Sequence, residues 1–192
     1  MIINIICALM AFVEQSPKSD YYVVVFSCDG VNQNVIPTES HVFSTWVEIT
    51  NNRITDSVDI NWQSTSPDDF VNTNVGRNVP IKEIFKSRTN KTNKLKYWTL
   101  KIDQSFFAKA KKQEKNLILY KTFDKRTRPV AINNIHAISD VSGYLETGSA
   151  FGDEAAQKIV ELFIKNENAK ATKNNYVIEM ILSNLYDEKL AF

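Results

Sequence analysis

The sequence predicts an α+β fold, a mostly antiparallel sheet packed against helices, and three observations carry that expectation. Tyr21 to Ser27 (YYVVVFS) is a β-branched and aromatic run without alternation, which reads as a strand buried on both faces. His41 to Thr50 and Ile54 to Ser64 flank Asn51-Asn52, the pattern of two strands joined by a tight hairpin turn. The last third carries two amphipathic stripes at helical spacing, Asp153 to Ile164 and Tyr176 to Tyr186.

Composition bounds the rest. The chain has 192 residues, 43% of them hydrophobic and 23% charged, enough to build one packed domain. The formal net charge of +1 gives no electrostatic reason for nucleic acid or an anionic membrane as partner. Lys and Asn are abundant and Gly scarce, a composition that hints at an AT-rich genome and carries no mechanism. The two cysteines, Cys7 and Cys28, make no disulfide framework and no C-x-x-C zinc spacing. With only two histidines, no metal site and no cofactor are expected.

Taken in order, Met1 to Val13 (MIINIICALMAFV) is too short to span a bilayer. It has the length of a signal-peptide apolar region and small residues near its end, though no Lys or Arg precedes it. Residues 1–14 therefore read as a leader, with periplasmic or secreted localisation. The alternative is a first buried element of a cytoplasmic protein. Residues 15–192 read as a single domain.

After the Tyr21 strand, Cys28-Asp29-Gly30 is a turn. Cys28 lies at a strand exit with no basic residue beside it, so it reads as structural and not as a nucleophile. In the next strand His41, Phe43, Thr45, Val47 and Ile49 form the more apolar set and should face the core, which puts His41 at the open end of the strand. Val58, Ile60 and Trp62 line one face of its partner. Ser64 to Pro80 reads as loop, Ile81 to Phe85 as a helical turn, and Ser87 to Asn93 as a solvated loop with a glycosylation sequon at Asn90-Lys91-Thr92.

Tyr97 to Ile102 is a strand. Asp103 caps a helix through about Gln113, with Phe106, Phe107 and Ala110 as its buried face. Lys109, Lys111, Lys112 and Lys115 on that helix read as a solvated face and not an anion site. Leu117 to Phe123 (LILYKTF) reads as a strand and Asp124 to Pro129 as a charged turn. In the helix from Asp153, the first two acids suit the N-terminal turn and Lys165 the last, with Ala156, Ile159, Val160 and Phe163 as the apolar stripe. In the final helix Val177, Met180, Ile181 and Leu185 point inward.

The chemistry concentrates in two places, His41 and the stretch Asn133 to Asp140 (NNIHAISD). A thiol hydrolase needs a cysteine with a stabilised thiolate, a histidine base within hydrogen-bond reach, and a third polar residue to orient the histidine. His41-Val42-Phe43-Ser44-Thr45-Trp46-Val47, then Ile60-Asn61-Trp62, then Asn133 to Asp140, then Gly152-Asp153-Glu154-Ala155-Ala156 stand in the order of a circularly permuted papain-like domain. On these four motifs the chain resembles the permuted papain-like proteins related to NlpC-type peptidases and lecithin retinol acyltransferase. More closely, it resembles a bacterial group reading His-Thr-Phe-Ala-Thr-Phe-Val, Ile-Ser-Trp and Asn-Cys-Ile-His-Ala-Val-Ser-Asp. The likeness spans roughly Tyr21 to Ile164.

The resemblance implies that His41 stands at the base position and Asn134 at the position of the cysteine. A carboxamide has no ionisable proton and is no acyl-transfer nucleophile. The chain then reads as a pseudoenzyme keeping a cleft for an unknown small molecule, peptide or protein, with Ser44, Trp62, Asn133, His136, Ser139 and Asp140 as lining residues. Local readings stand beside this one. His41 also fits a strand cap, His136 a core group pinning a helix start, Asp140 a turn cap, Trp62 a core residue, and Asn133 a turn residue bonded to nearby backbone. Ser139 is too far along the stretch to replace the nucleophile. Two other functions remain open: a structural or interaction module without an inherited site, and a thiol hydrolase pairing Cys28 with His136.

Overall fold

A computed structural model of the chain describes residues 18–28, 41–64, 74–88, 95–120, 122–123, 133–143, 145, 152–173 and 175–187. The apolar run Met1 to Val13, the Asp29-Gly30 turn, the Asn90 sequon and the charged turn Asp124 to Pro129 lie outside the described residues.

The strands are β1 (Asp20–Cys28), β2 (His41–Thr50), β3 (Arg53–Ile60), β4 (Trp62–Ser64), β5 (Asn74–Asn78), β6 (Leu95–Ile102), β7 (Thr122–Phe123) and β8 (Lys170–Thr172). The helices are α1 (Ile81–Arg88), α2 (Gln104–Tyr120), α3 (Asn134–Ser139), α4 (Gly152–Glu167) and α5 (Asn175–Asp187). Five strands form one sheet in the order β3-β2-β1-β6-β8, and β4-β5-β7 form a smaller one. The strand pairings among the described residues are antiparallel, so the molecule is α+β. No helix among the described residues is long and apolar enough to cross a membrane.

The hairpin turn is local chemistry. Asn51 and Asn52 both take positive φ, 51° and 59°, as a two-residue turn matching the right-handed strand twist requires. Asn tolerates that region better than other side chains because its amide bonds nearby backbone. A bulge beside Glu48 and Ile49 then shifts the register before the strands run on together.

Helices cover both faces of the large sheet. On one face Val23, Val25, Val42, Trp46 and Leu100 meet Phe106 and Ala110 of α2, Ile138 of α3, and Ile159 and Phe163 of α4. Trp46, Phe106 and Phe163 form a mutual aromatic cluster there, two of the contacts edge-on at 5.0 Å. On the other face Val24, Phe26, Phe43, Val47 and Ile49 meet Ile81 and Ile84 of α1 and Val177, Ile178 and Ile181 of α5. The double burial expected for Tyr21 to Ser27 therefore extends to β2. The expectation of a single core face for β2 is corrected, because Val42 and Trp46 are as buried as Phe43 and Val47.

Three local readings change for physical reasons. Leu117 to Tyr120 continue α2 and are not strand, since Leu117 falls eleven positions after Phe106 and seven after Ala110, on the same apolar stripe. Only Thr122–Phe123 form a strand there. Within the expected loop Ser64 to Pro80, Asn74–Asn78 pair with β4 and β7, so tertiary pairing makes a strand from a polar, Gly-containing segment. The strand expected from Ile54 to Ser64 is interrupted at Asn61, beyond which the chain leaves for the smaller sheet.

Candidate functional site

His41 opens β2 at the end of the large sheet, and its ring packs 5.9 Å from Phe43. Three amide side chains from other parts of the chain surround it. Asn134, the first residue of α3, brings Nδ2 to 3.0 Å from His41 Nδ1. Asn61, at the break between β3 and β4, brings Oδ1 to 2.5 Å from His41 Nε2. Gln63 Nε2 lies 3.3 Å from the same ring nitrogen and donates to Asn61 Oδ1 at 3.1 Å.

The backbone decides which end of each amide meets the ring. Asn134 Oδ1 accepts from the Ile135 N–H at 3.0 Å and its Nδ2 reaches the Val42 carbonyl at 3.4 Å, so the amino end faces His41. Asn61 Nδ2 donates to the Val79 carbonyl at 2.9 Å, so its oxygen faces His41. This array assigns His41 as the neutral ring with an accepting Nδ1 and a protonated Nε2. Gln63 and His41 are then two donors sharing the Asn61 oxygen.

Asn61 is itself clamped. Its backbone N–H donates to Asn78 Oδ1 at 2.8 Å and its carbonyl accepts from Val79 N–H at 3.0 Å. Asn78 Nδ2 in turn donates to the Asp59 carbonyl at 2.6 Å. A buried asparagine with each of these groups bonded is rigid, because leaving any one of them unmade would cost about 1–3 kcal/mol.

The remaining predicted residues lie in several different places. Asn133 is the N-cap of α3, its Oδ1 accepting from His136 N–H at 2.9 Å. His136 is buried in the interior with Ile135, Ala137 and Ile138. Ser139 is buried and donates to the His136 carbonyl, and Asp140 is the C-cap of the helix. Ser44 is a core group that accepts from Trp46 Nε1 at 3.0 Å. Trp62 is buried, its ring lying where a Cβ on Gly76 would stand. Within the predicted set, the side chains of His41 and Asn134 bond each other.

In the sequence Asn61 stands only as the middle of the Ile60-Asn61-Trp62 motif, and nothing there marks Gln63 or Asn78 as site residues. The legible signal was a polar residue between Ile60 and Trp62, inside an otherwise buried apolar run. Cys28 ends β1 and does not open a helix, and its Cα is the cross-strand partner of His41. The lysines expected on a solvated face of α2 are partly paired, Lys109 with Glu167 at 2.7 Å and Lys111 with Asp56 at 2.6 Å.

The arrangement has the polarity of a general base. The lone pair of the ring points at residue 134 and the ring N–H at an orienting amide. A thiol at residue 134 would face the accepting Nδ1. The amide N–H is far too weak an acid to give its proton to an imidazole, and its nitrogen lone pair, delocalised into the carbonyl, is no nucleophile. Among the described residues no grouping of three His, Cys, Asp or Glu could hold a metal ion. The two described cavities lie elsewhere, neither lined by His41 or Asn134.

No family model, no curated protein and no solved structure matches the chain.

Proposed function

We propose that this protein is a catalytically silent, permuted papain-like domain that keeps the base and its orienting residue and binds a small molecule or peptide beside them. The observation that carries the reading is His41 held between Asn134 on its accepting nitrogen and Asn61 on its donating one. The order His41, Asn61, Asn134 along the chain supports it, as does the start of a helix at residue 134. The nucleophile is missing, so binding and not acyl transfer is the proposed role.

The test restores the sulfur. Asn134→Cys, made in a Cys7→Ser, Cys28→Ser background, should react with iodoacetamide well below the ordinary thiol range near pH ~8.5, because His41 can accept its proton. A titration of that thiol indistinguishable from a free cysteine would refute the inherited-site reading.

A second reading has its own observation in favour. The amide array joins β2, the β3–β4 break and α3, so it also serves as a polar fastener for the end of the sheet. That reading makes His41 a structural group alone, and it expects the unreactive thiol.

We also propose export, resting on Met1 to Val13. Mass spectrometry of protein recovered outside the cytoplasm should find an N-terminus beyond Ala11, whereas an intact Met1 on protein confined to the cytoplasm contradicts it.

A further inference from the structure

On the far side of the clamp that holds Asn61 lies a cavity of about 440 Å³ between the β3–β4 break, β5 and α2. Its floor is set by Trp62 lying against Gly76. A Cβ at that glycine would stand 2.2 Å from the indole, so the shape depends on having no side chain there. Ile118 and Pro80 give it an apolar wall, and Ile118 is half exposed at the mouth. Two carboxylates, Asp59 and Glu114, face into it beside Asn78.

Neither carboxylate of this cavity is directly ion-paired among the described residues, although Lys82 acts on Asp59 and Lys111 and Lys115 on Glu114. Asp20, Asp56, Asp153, Glu154 and Glu167 each have a lysine within ion-pair distance, yet no described ion pair reaches Asp59 or Glu114. Asp59 is held by neutral donors, Thr45 Oγ1 at 2.8 Å and the Ile81 N–H at 3.1 Å. Glu114 accepts only a long contact, 3.4 Å from Asn78 Nδ2. Arg77 contributes to the rim, but it is exposed while its neighbours Gly76 and Asn78 turn inward, as alternation along a strand dictates. Burial, then Asp59, then Asp56 push the Glu114 carboxyl above its ordinary range, against smaller opposing effects of Lys111 and Lys115.

We propose that this cavity binds an organic cation, an ammonium or guanidinium carried on an apolar body, with Glu114 as the anchoring carboxylate and the Ile118 wall taking the apolar part. A bare metal ion fits less well, because two carboxylates with no third His, Cys, Asp or Glu do not make a metal centre among the described residues. The inference stands independently of the reading of His41.

The test titrates phenethylamine, and its neutral counterpart phenethyl alcohol, into the full-length protein by calorimetry and amide NMR. The amine should saturate one site, with shifts centred on β5 and the end of α2, and bind at least ~10-fold more tightly than the alcohol. Glu114→Gln keeps the shape and the Asn78 contact, and it should erase that preference. Ile118→Trp fills the mouth without touching either carboxylate, and it should remove amine binding. The proposal is overturned if the amine does not saturate, if amine and alcohol bind alike, or if either variant binds the amine as the unaltered protein does.

Discussion

At residue 61 a single asparagine carries more of the site than either histidine. Its oxygen takes the His41 proton, its amino group takes the Val79 carbonyl, and its backbone is bonded to Asn78 and Val79. Asn61→Ala removes the side chain, leaving the buried Val79 carbonyl without this donor and the part-buried ring N–H without this acceptor. We expect a loss of about 1–3 kcal/mol, chiefly from the buried carbonyl, read as a lower urea midpoint with an unchanged slope. Asn61→Asp should keep the acceptor for His41 but lose the donor to Val79, so it should fall between the two. Equal stability of Asn61→Ala and the unaltered protein would mean that the array contributes nothing to the fold. The residue was visible in the sequence only as a polar interruption of Ile60 and Trp62. What it bonds was not visible, because Val79 and Asn78 lie in a segment whose composition reads as loop.

Among the elements, the start of α2 behaves as its sequence suggests. Asp103 caps α2, its Oδ1 accepting from the Phe106 N–H and the Ser105 hydroxyl, both at 2.8 Å. The Phe106 bond, then that of Ser105, draws its carboxyl below the ordinary range against a smaller opposing effect of burial. A lowered folded pKa means that the cap is at full strength above the ordinary aspartate range and is lost as pH falls through the folded value. Asp103→Ala should therefore cost about 1 kcal/mol at neutral pH and progressively less in acid, measured by denaturant unfolding across that window. A cost that does not shrink in acid would rule out the charged cap as its source. The cap was legible because it depends on residues three apart. The length of α2 was not, since Leu117 to Tyr120 have strand-like composition and only the shared stripe with Phe106 and Ala110 makes them helical. The strand β5 was likewise hidden, because its pairing partners lie outside its own segment.

Across the whole molecule, helices on both faces of a five-stranded sheet bury the middle of its central strands, Val23 to Ser27 and Val42 to Val47. One consequence is electrostatic, since the acids at the β3 and α2 boundary are partly withdrawn from water. Burial comes first and the neighbouring Asp59 and Asp56 second in raising the Glu114 carboxyl. For an acid with a raised folded pKa, the folded protein holds its proton more tightly than the unfolded chain. Stability from this group is present at low pH and falls as pH rises from the ordinary glutamate value to the folded one. Glu114→Gln cannot ionise, so the variant should gain stability relative to the unaltered protein as pH rises above the ordinary glutamate range. Parallel pH profiles for the two proteins would show that Glu114 carries no such strain.

The sequence by itself determined the α+β class, the two-faced central strand, the Asn51-Asn52 turn and the Asp103 helix cap. Each of these depends on residues within a turn or a strand's length of one another, where steric preference and hydrogen-bond reach act directly. It also contained the order of His41 and Asn134, but not their meeting. Only the tertiary structure decided that His41 and Asn134, ninety-three residues apart, bond at 3.0 Å, and that Asn61 turns its oxygen and not its nitrogen to the ring. Those outcomes depend on how β2, the β3–β4 break and α3 converge at one end of the sheet. Convergence of that kind follows from the packing of two hydrophobic layers and cannot be read from any single stretch of the chain.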